Sequence, residues 1–414
     1  MDQNELSSHT SNNSPQLARK IGFPLLTFYG IGTILGAGIY VLVGKVAAVS
    51  GLLAPLAFLI AGLVAWVTAM SYCQLVMNYP KSAGEAHYVE EGFGIPKLTT
   101  LVGYLVIFTG IVSAATLAHG FVGYLTAFID ISPILAIVII IVFMGVMALW
   151  GIAESLWLAA IITVVEITGL LLVIVFGGHY LGELPNRINE VFVQDAQTEI
   201  ALLMSGAFIA FYAFIGFEDM VNVAEEVKEP SRIMPKAIIT AVILSTLLYF
   251  FITAITVLGL PMEQLESSGA PLKELLSQEN EQASQWVGLI SLFAIVNGVL
   301  TQIIMASRVL YGMAMQERAP EIFSFVEENT RTPWIATLTI TTVILIFALW
   351  LPIVSLAKTT TFIILIIFVL VNLTLWRLKR TNRINTKNNL PSWPLLGVLL
   401  SLGLLLYQVI QLLF

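Results

Sequence analysis

A glycine-rich stretch interrupts the first apolar segment of the chain and constrains the fold more than any other sequence feature. Residues 21–46 are apolar enough to cross a membrane, but Gly30, Gly32, Gly36 and Gly38 fall in the middle of this run. Each glycine weakens a helix by roughly 1 kcal/mol relative to alanine. Lipid tolerates unpaired backbone N–H and C=O groups only where they line a cavity or contact other protein. The sequence therefore predicts a helix that unwinds at bilayer depth, where free backbone groups can hold a solute or an ion.

The same glycines have a second interpretation, because Gly32, Gly36 and Tyr40 are spaced four residues apart. Small residues at this spacing also let helices pack closely. A second interruption, around Phe211–Glu218, follows about half a chain later. Two such breaks in corresponding halves are typical of secondary transporters and favour unwinding over packing. Glu218 and Asp219, at the end of the second break, are expected to be hydrated near an inner mouth.

The composition places nearly the whole chain in a membrane. Of 414 residues, 58% are hydrophobic and 11% are charged, against about 25% charged in a soluble domain. We predict a polar, disordered cytoplasmic tail over residues 1–18 and one all-α integral membrane domain over residues 19–414. Eleven apolar runs are long enough to cross about 30 Å of hydrocarbon. They cover about 21–46, 51–78, 97–128, 131–150, 155–178, 200–224, 235–260, 285–313, 333–352, 355–377 and 393–414.

The distribution of basic residues predicts the orientation. Lys and Arg are enriched on the cytoplasmic side of membrane proteins. With the N-terminus inside, the opposite loops hold only Arg187 and Lys273, with Lys45 and Lys358 near helix ends. We therefore expect a multi-pass protein of the plasma or bacterial inner membrane with a cytoplasmic N-terminus. The cytoplasmic segments then carry Arg19, Lys20, Lys81, Lys97, Lys228, Arg232, Lys236, Arg318, Arg331, Arg377, Lys379, Arg380, Arg383 and Lys387.

Several function classes are disfavoured by what the sequence lacks. The single cysteine, Cys73, excludes an internal disulfide. No metal-ligand cluster, soluble cofactor motif or catalytic constellation of Ser, His and Asp is present, so we expect neither an enzyme nor a resident cofactor. The basic run at 377–387 follows from the charge rule for membrane proteins, so no nucleic-acid partner is expected. Whether a partner chain is needed stays open.

The chemistry of the first break indicates a zwitterionic ligand. Unwinding at Leu35-Gly36-Ala37-Gly38 exposes the N–H groups at the positive end of a half-helix, which suit a carboxylate. Carbonyls just before the break, from Ile34 and its neighbours, can accept from an ammonium group. An α-amino acid supplies both charges on one carbon.

Six motifs, including the glycine-rich stretch, carry a resemblance to the amino acid–polyamine–organocation superfamily. One motif, Gly32-Thr-Ile-Leu-Gly-Ala-Gly-Ile-Tyr40, resembles the signature of the superfamily's first helix. A second, Phe211-Tyr-Ala-Phe-Ile-Gly-Phe-Glu218, resembles its sixth helix. The chain most resembles the cationic amino acid transporter-like branch, whose bacterial members often carry neutral substrates. The remaining matches are Ala224-Glu-Glu-Val-Lys-Glu-Pro230, Pro80-Lys-Ser-Ala-Gly-Glu-Ala-His-Tyr88, Gly151-Ile-Ala-Glu-Ser155 and Ala306-Ser-Arg-Val-Leu-Tyr-Gly-Met313.

The resemblance implies a LeuT-type fold of two inverted five-helix repeats, about 21–178 and 200–377, with an extra helix at about 393–414. Family members usually have twelve spans, one more than we count. It also implies alternating access around a midplane site with discontinuous first and sixth helices. By position in the motifs, N–H groups of Gly36, Ala37 and Gly38 would bind the substrate carboxylate. Carbonyls of Ile34, Tyr212, Ala213 and Ile215 would bind its ammonium.

An acid deep in the fifth span, Glu166, is a candidate for ion coupling. A charged carboxylate there costs several kcal/mol unless it is paired or neutralised. Counted from Gly151, Glu166 falls where related proton-coupled carriers place a lysine that faces the first broken helix. Three interpretations remain: proton coupling through a carboxyl that protonates, sodium coordination by an ionised carboxylate, or a structural hydrogen bond in an uncoupled exchanger.

The function predicted is secondary active transport of L-amino acids. Neutral substrates are favoured because the central third and eighth spans hold no Asp, Glu or Lys to balance a charged side chain. Asn297 and Thr301 in the eighth span are expected either to reach the site or to tie helices together. The alternatives are a sodium-coupled or uncoupled exchanger and a membrane amino acid sensor that does not transport.

Overall fold

The computed structural model describes residues 19–36, 38–80, 84–150, 156–191, 195–327, 330, 332–384 and 393–413. Within them the chain is helical. The predicted tail over residues 1–18 and the predicted donor Ala37 lie outside the described residues. The α-helices are α1 (Phe23–Leu35), α2 (Gly38–Ser50), α3 (Ala54–Asn78), α4 (Gly84–Phe93), α5 (Pro96–Thr126), α6 (Pro133–Leu149), α7 (Leu156–Gly177), α8 (Leu184–Val191), α9 (Ala196–Ala210), α10 (Pro230–Gly259), α11 (Met262–Ser267), α12 (Pro271–Ser277), α13 (Glu281–Met315), α14 (Trp334–Trp350), α15 (Ile353–Arg380) and α16 (Trp393–Leu413).

The long helices follow the predicted apolar runs. Among the described residues, eight helical stretches are long and apolar enough to cross a membrane, and α6 and α14 are shorter apolar helices. The first stretch, Phe23–Asn78, contains the broken pair α1 and α2 as well as α3. With α3 counted as a crossing of its own, the helices match the eleven runs one for one. Helices α8, α11 and α12 are short elements in segments that hydropathy leaves as loops.

Both predicted breaks are present. Helix α1 ends at Leu35 and α2 begins at Gly38. Helix α9 ends at Ala210, and two 3₁₀ segments follow it, at Phe211–Phe214 and Glu218–Glu226. The prediction of discontinuous first and sixth helices is confirmed.

Prolines and polar caps begin several of the helices. Pro96, Pro133 and Pro230 are the first residues of α5, α6 and α10. Proline suits this position because its missing N–H would have no partner within the helix. The Asn280 carboxamide accepts from the N–H of Ala283 at 2.9 Å and caps α13. These signals fix where the chain enters the long helices that surround the breaks.

The broken helices lie inside a shell of long helices. Helix α5 packs along α13 and α3 packs along α10, while α1 contacts α10 and α7 and α9 contacts α3 and α2. Each of the first two pairs joins helices that occupy equivalent positions in the two predicted repeats. The repeat boundaries themselves stay a prediction.

The two broken helices are also joined at the face where α1 begins. Ile21 and Val227 form an isolated parallel β-bridge. The N–H of Ile21 donates to the Glu226 carbonyl at 3.0 Å, and the N–H of Lys228 donates to the Ile21 carbonyl at 2.9 Å. The segment before α1 is therefore held against the segment that follows the second break.

A buried polar network ties α3 to α15. The Asn372 carboxamide accepts from Ser71 Oγ at 2.6 Å and donates to Thr68 Oγ1 at 3.1 Å and to the Phe368 carbonyl at 2.8 Å. All three polar side chains are buried. Removing one partner leaves the others without a hydrogen bond in an apolar surrounding, which is costly.

We expect Ser71→Ala and Asn372→Ala to be coupled in a double-mutant cycle of stability. The shared hydrogen bond predicts a coupling energy of about 0.6–1.7 kcal/mol, the range for such bonds between membrane helices. Denaturant unfolding of purified protein in detergent measures it. Thr342→Val is a control, because the exposed Thr342 hydroxyl bonds only to the carbonyl of Leu338 on its own helix. A Ser71–Asn372 coupling energy no larger than the Thr342–Asn372 value would contradict the network.

Candidate functional site

The first break presents the start of α2 to a cavity. Gly36 adopts a left-handed backbone conformation, with φ of 27°, that ends α1. The N–H of Gly36 donates to the carbonyl of Gly32 at 2.9 Å. This corrects one predicted donor, because in this conformation that N–H closes the last turn of α1. The donors that remain belong to the start of α2, which begins at Gly38 and carries the partial positive charge of a helix N-terminus.

The second break lies directly against the first. Gly216 has a φ of 127°, and a Cβ there would overlap the carbonyl oxygen of Thr33 and lie 2.6 Å from its carbonyl carbon. A Cβ on Gly38 would lie 2.8 Å from the Cα of Ala213. Only glycine allows both approaches, since the neighbours are backbone atoms that cannot rotate away. The two unwound segments therefore form one surface.

Glu218 stabilises the second break from within the protein. Its carboxylate accepts from the N–H of Gly216 at 2.9 Å, and the residue is 5% exposed. This overturns the expectation that Glu218 is hydrated at a mouth. The unwound turn leaves a backbone donor unpaired, and the nearby carboxylate satisfies it.

The two breaks line a cavity of about 70 Å³. Of the residues that the motifs predict, Ile34, Gly36, Gly38, Tyr212 and Ile215 line it, whereas Ala213 and Glu166 do not. The remaining lining residues come from α1, α5, α7, α13 and the second break. They are Tyr29, Gly32, Thr33, Ser113, Leu117, Thr163, Asp219, Asn297, Gly298, Thr301 and Gln302.

The cavity continues into a larger one of about 460 Å³. Tyr29, Asp219 and Thr301 line both cavities and mark the junction. The larger cavity is lined by the first part of α5 and the last part of α13. It therefore lies toward the face where α1 begins. Neither cavity is lined by α5 beyond Leu117 or by α13 before Asn297, so they do not extend toward the opposite face.

The hydroxyl of Tyr249 bridges the two breaks. It lies 2.7 Å from the carbonyl oxygens of both Ile34 and Ala213, two of the predicted ammonium acceptors. One hydroxyl has one proton, so it donates to one carbonyl at a time and leaves the other short of a donor. Another predicted acceptor, the Tyr212 carbonyl, accepts from the N–H of Ile215 at 3.2 Å.

Sequence reasoning missed Tyr249, although one signal was present. It is a fully buried tyrosine in the apolar helix α10, and a buried tyrosine hydroxyl usually has a hydrogen-bond partner. The Tyr212 hydroxyl, likewise, contacts Ser113 Oγ at 2.9 Å and the Ser113 carbonyl at 3.1 Å. This contact joins the second break to α5.

Glu166 lies behind the cavity. It is 1% exposed, and among the described residues neither oxygen of its carboxyl has a hydrogen-bond partner. Its backbone carbonyl accepts from the Tyr40 hydroxyl of α2 at 2.7 Å, and Tyr40 and Tyr249 both lie within electrostatic range of its carboxyl. The residue of α7 that packs against Gly32 and lines the cavity is Thr163. At Gly32, the first broken helix is thus faced by a residue one turn before Glu166.

Comparison with known proteins assigns this architecture to a family. The family model for amino acid permeases matches residues 21–414. The chain belongs to the amino acid permease family. This confirms the resemblance to the amino acid–polyamine–organocation superfamily, whose members are transporters rather than enzymes.

Three named relatives illustrate the range of the family. A mitochondrial cationic amino acid transporter 3 of Arabidopsis thaliana is 28% identical over 90% of this chain and 64% of its own length. The branched-chain amino acid permease BcaP of Bacillus subtilis is 25% identical over 87% of this chain and 81% of its own length. A vacuolar cationic amino acid transporter 2 of Arabidopsis thaliana is 29% identical over 80% of this chain. The chain spans 64% and 55% of the two plant relatives.

We expect Gly216→Ala to destabilise the fold. A Cβ would collide with the backbone of Thr33 at a φ that side chains rarely adopt, which costs about 2 kcal/mol or more. Thermal unfolding in detergent measures the loss. Gly312→Ala is the matched control, because a Cβ there meets open space within α13; alanine favours the helix, so its stability should stay equal or rise. Equal melting temperatures for both variants would contradict the close approach.

Tyr249→Phe should lower stability by about 1–3 kcal/mol, because it removes the only hydroxyl that bridges the Ile34 and Ala213 carbonyls among the described residues. Denaturant unfolding provides the measurement. Tyr104→Phe is the control: its hydroxyl makes a long, exposed contact of 3.4 Å with the Arg318 carbonyl. Wild-type stability in Tyr249→Phe would mean that the bridge is not formed.

Proposed function

We propose that this protein is a secondary active transporter of neutral L-amino acids, coupled to protons and working by alternating access. The observation that carries the proposal is the meeting of two unwound segments at one cavity. The start of α2 offers backbone donors and partial positive charge to a carboxylate. Carbonyls at Ile34 and Ile215, which both line the cavity, offer acceptors to an ammonium group. An α-amino acid matches both.

The one-sided opening supports alternating access. The small cavity joins the larger one toward the face where α1 begins and does not extend toward the other face. With the N-terminus in the cytoplasm, as the distribution of Lys and Arg favours, this is an inward-directed conformation. A carrier in the plasma or inner membrane needs such a conformation to release substrate into the cell.

The charge of the lining favours neutral substrates. Asp219 is the one charged residue among the described residues that line the small cavity, and it lies at the junction with the larger one. A charged substrate side chain deep in the cavity would lack an adjacent counter-charge, which is costly in a low-dielectric surrounding. The relatives are named for both cationic and branched-chain amino acids, so the proposal of neutral substrates rests on the lining.

Glu166 supports proton coupling. An ionised carboxylate that is buried and has no partner costs several kcal/mol, so the neutral protonated form is favoured in this conformation. Its carbonyl is bound by Tyr40 of α2 and its carboxyl lies near Tyr249, which bridges the breaks. Protonation of Glu166 therefore acts on the segments that must move. Sodium coordination by the ionised carboxylate is the competing mechanism.

Uptake into liposomes tests the function. Purified protein is assayed with a panel of labelled L-amino acids, with and without an inward proton gradient. Accumulation of a neutral amino acid driven by the proton gradient is the expected result. Uptake that depends on sodium and not on the proton gradient would mean that sodium, rather than the proton, is the coupling ion. Binding without flux of any amino acid would contradict transport and favour a sensor.

Glu166→Gln should abolish accumulation driven by the proton gradient but spare exchange of internal for external amino acid. Glutamine keeps the shape of the side chain and cannot take up or release the proton. The control is Glu263→Gln, an exposed acid in α11, which should accumulate substrate like the wild type. Normal gradient-driven uptake by Glu166→Gln would rule out this residue as the proton carrier.

A further inference from the structure

The part of the cavity formed by α5 and α13 has a polar but uncharged lining. Ser113 and Leu117 come from α5, and Asn297, Thr301 and Gln302 come from α13. Four of these five side chains carry a neutral hydrogen-bonding group. We call this the α5/α13 subsite. If the breaks bind the amino and carboxylate groups, as in the proposed function on which this inference rests, the substrate side chain occupies this subsite.

An apolar substrate would not need such a lining. Polar side chains within a membrane bundle usually hydrogen-bond one another across helices. Ser113 does so, because its hydroxyl contacts the Tyr212 hydroxyl of the second break. Thr301 bonds within its own helix, where its Oγ1 donates to the Asn297 carbonyl at 2.9 Å. These bonds leave the two carboxamides, on Asn297 and Gln302, as groups able to face a ligand.

Gln302 carries the argument furthest. Its Oε1 atom is buried and has no hydrogen-bond partner among the described residues. It lies against α5, since a Cβ built at Gly110 would be 3.4 Å from Oε1, about an ordinary contact distance. If the carboxamide of Gln302 were turned over, its nitrogen would take the place of Oε1 and would be the unpaired atom there. An unpaired buried polar atom is unfavourable, and a ligand group that bonds to it recovers the loss.

We infer that the substrate has a short, uncharged side chain with a hydroxyl or carboxamide group: serine, threonine, asparagine or glutamine. Such groups both donate and accept, so they match a carboxamide in either orientation. The cavity volume of about 70 Å³ is several times what one ordered water needs and suits a side chain of few atoms. Asp219, the charged lining residue, lies at the junction with the larger cavity and outside the subsite.

Isosteric pairs separate hydrogen bonding from size. Threonine and valine have nearly the same shape, as do asparagine and leucine. A site that hydrogen-bonds a substrate group rejects the analogue that lacks it, because its own polar atoms are then left unpaired. We expect threonine and asparagine to compete at least about tenfold better than valine and leucine.

The experiment measures inhibition of labelled threonine uptake into liposomes, and binding of labelled threonine in detergent, by unlabelled threonine, valine, asparagine, leucine and arginine. Gln302→Met, which keeps the length of the side chain but removes its hydrogen bonds, should lose most of the tenfold preference. Gln316→Met is the matched control on the same stretch of chain, because Gln316 lines only the larger cavity. It should keep the wild-type ratios.

Three results would overturn the inference. Valine and leucine could compete as well as threonine and asparagine, or arginine could compete best. In either case an amino acid is still carried: the first result leaves the proposed function intact, whereas the second also contradicts its preference for neutral substrates. The third result is an unchanged threonine-to-valine ratio in folded Gln302→Met. Should that variant not fold, the wild-type ratios decide alone. If no amino acid binds, both the inference and the proposed function fail.

Discussion

The contact between the two unwound segments is the constraint on which the rest of the structure depends. Gly216 approaches the backbone of Thr33, and Gly38 approaches that of Ala213, so closely that neither position admits a side chain. Because the segments touch, the start of α2 and the carbonyls of the second break face one cavity. The same contact brings two carbonyls within reach of a single hydroxyl on α10. Interrupted helices are costly in lipid, and here each interruption supplies the polar surroundings of the other.

The sequence predicted the breaks because their causes are local. Glycine weakens a helix wherever it occurs, and hydropathy locates each span without knowledge of its neighbours. The role of Tyr249 was not predictable in this way, since its partners Ile34 and Ala213 lie in other helices. The absence of Glu166 from the cavity lining was not predictable either. Glu166 follows Thr163 by three residues, which moves it about 4.5 Å along the axis and turns it by about 60°. That change is enough to take it out of the cavity lining.

Backbone and side chains divide the recognition of a ligand between them. The groups common to all α-amino acids would meet backbone atoms, which substitution of side chains leaves in place. The variable part would meet α5 and α13, where substitution is free to act. This division accounts for relatives named for cationic and for branched-chain amino acids that still match most of this chain. Under the proposed function, the glycine signature marks the family, and a few residues in α5 and α13 would set the differences within it.

The bridge between Ile21 and Val227 has a mechanical consequence. It joins the segment before α1 to the segment after the second break by two backbone hydrogen bonds. If one of the two segments is displaced outward, the other must move with it or these two hydrogen bonds must break. In the proposed transport cycle, an opening on this face would therefore move the two segments together or separate Ile21 from Val227. A single pair of residues would thus decide whether the two segments move as one unit or as two.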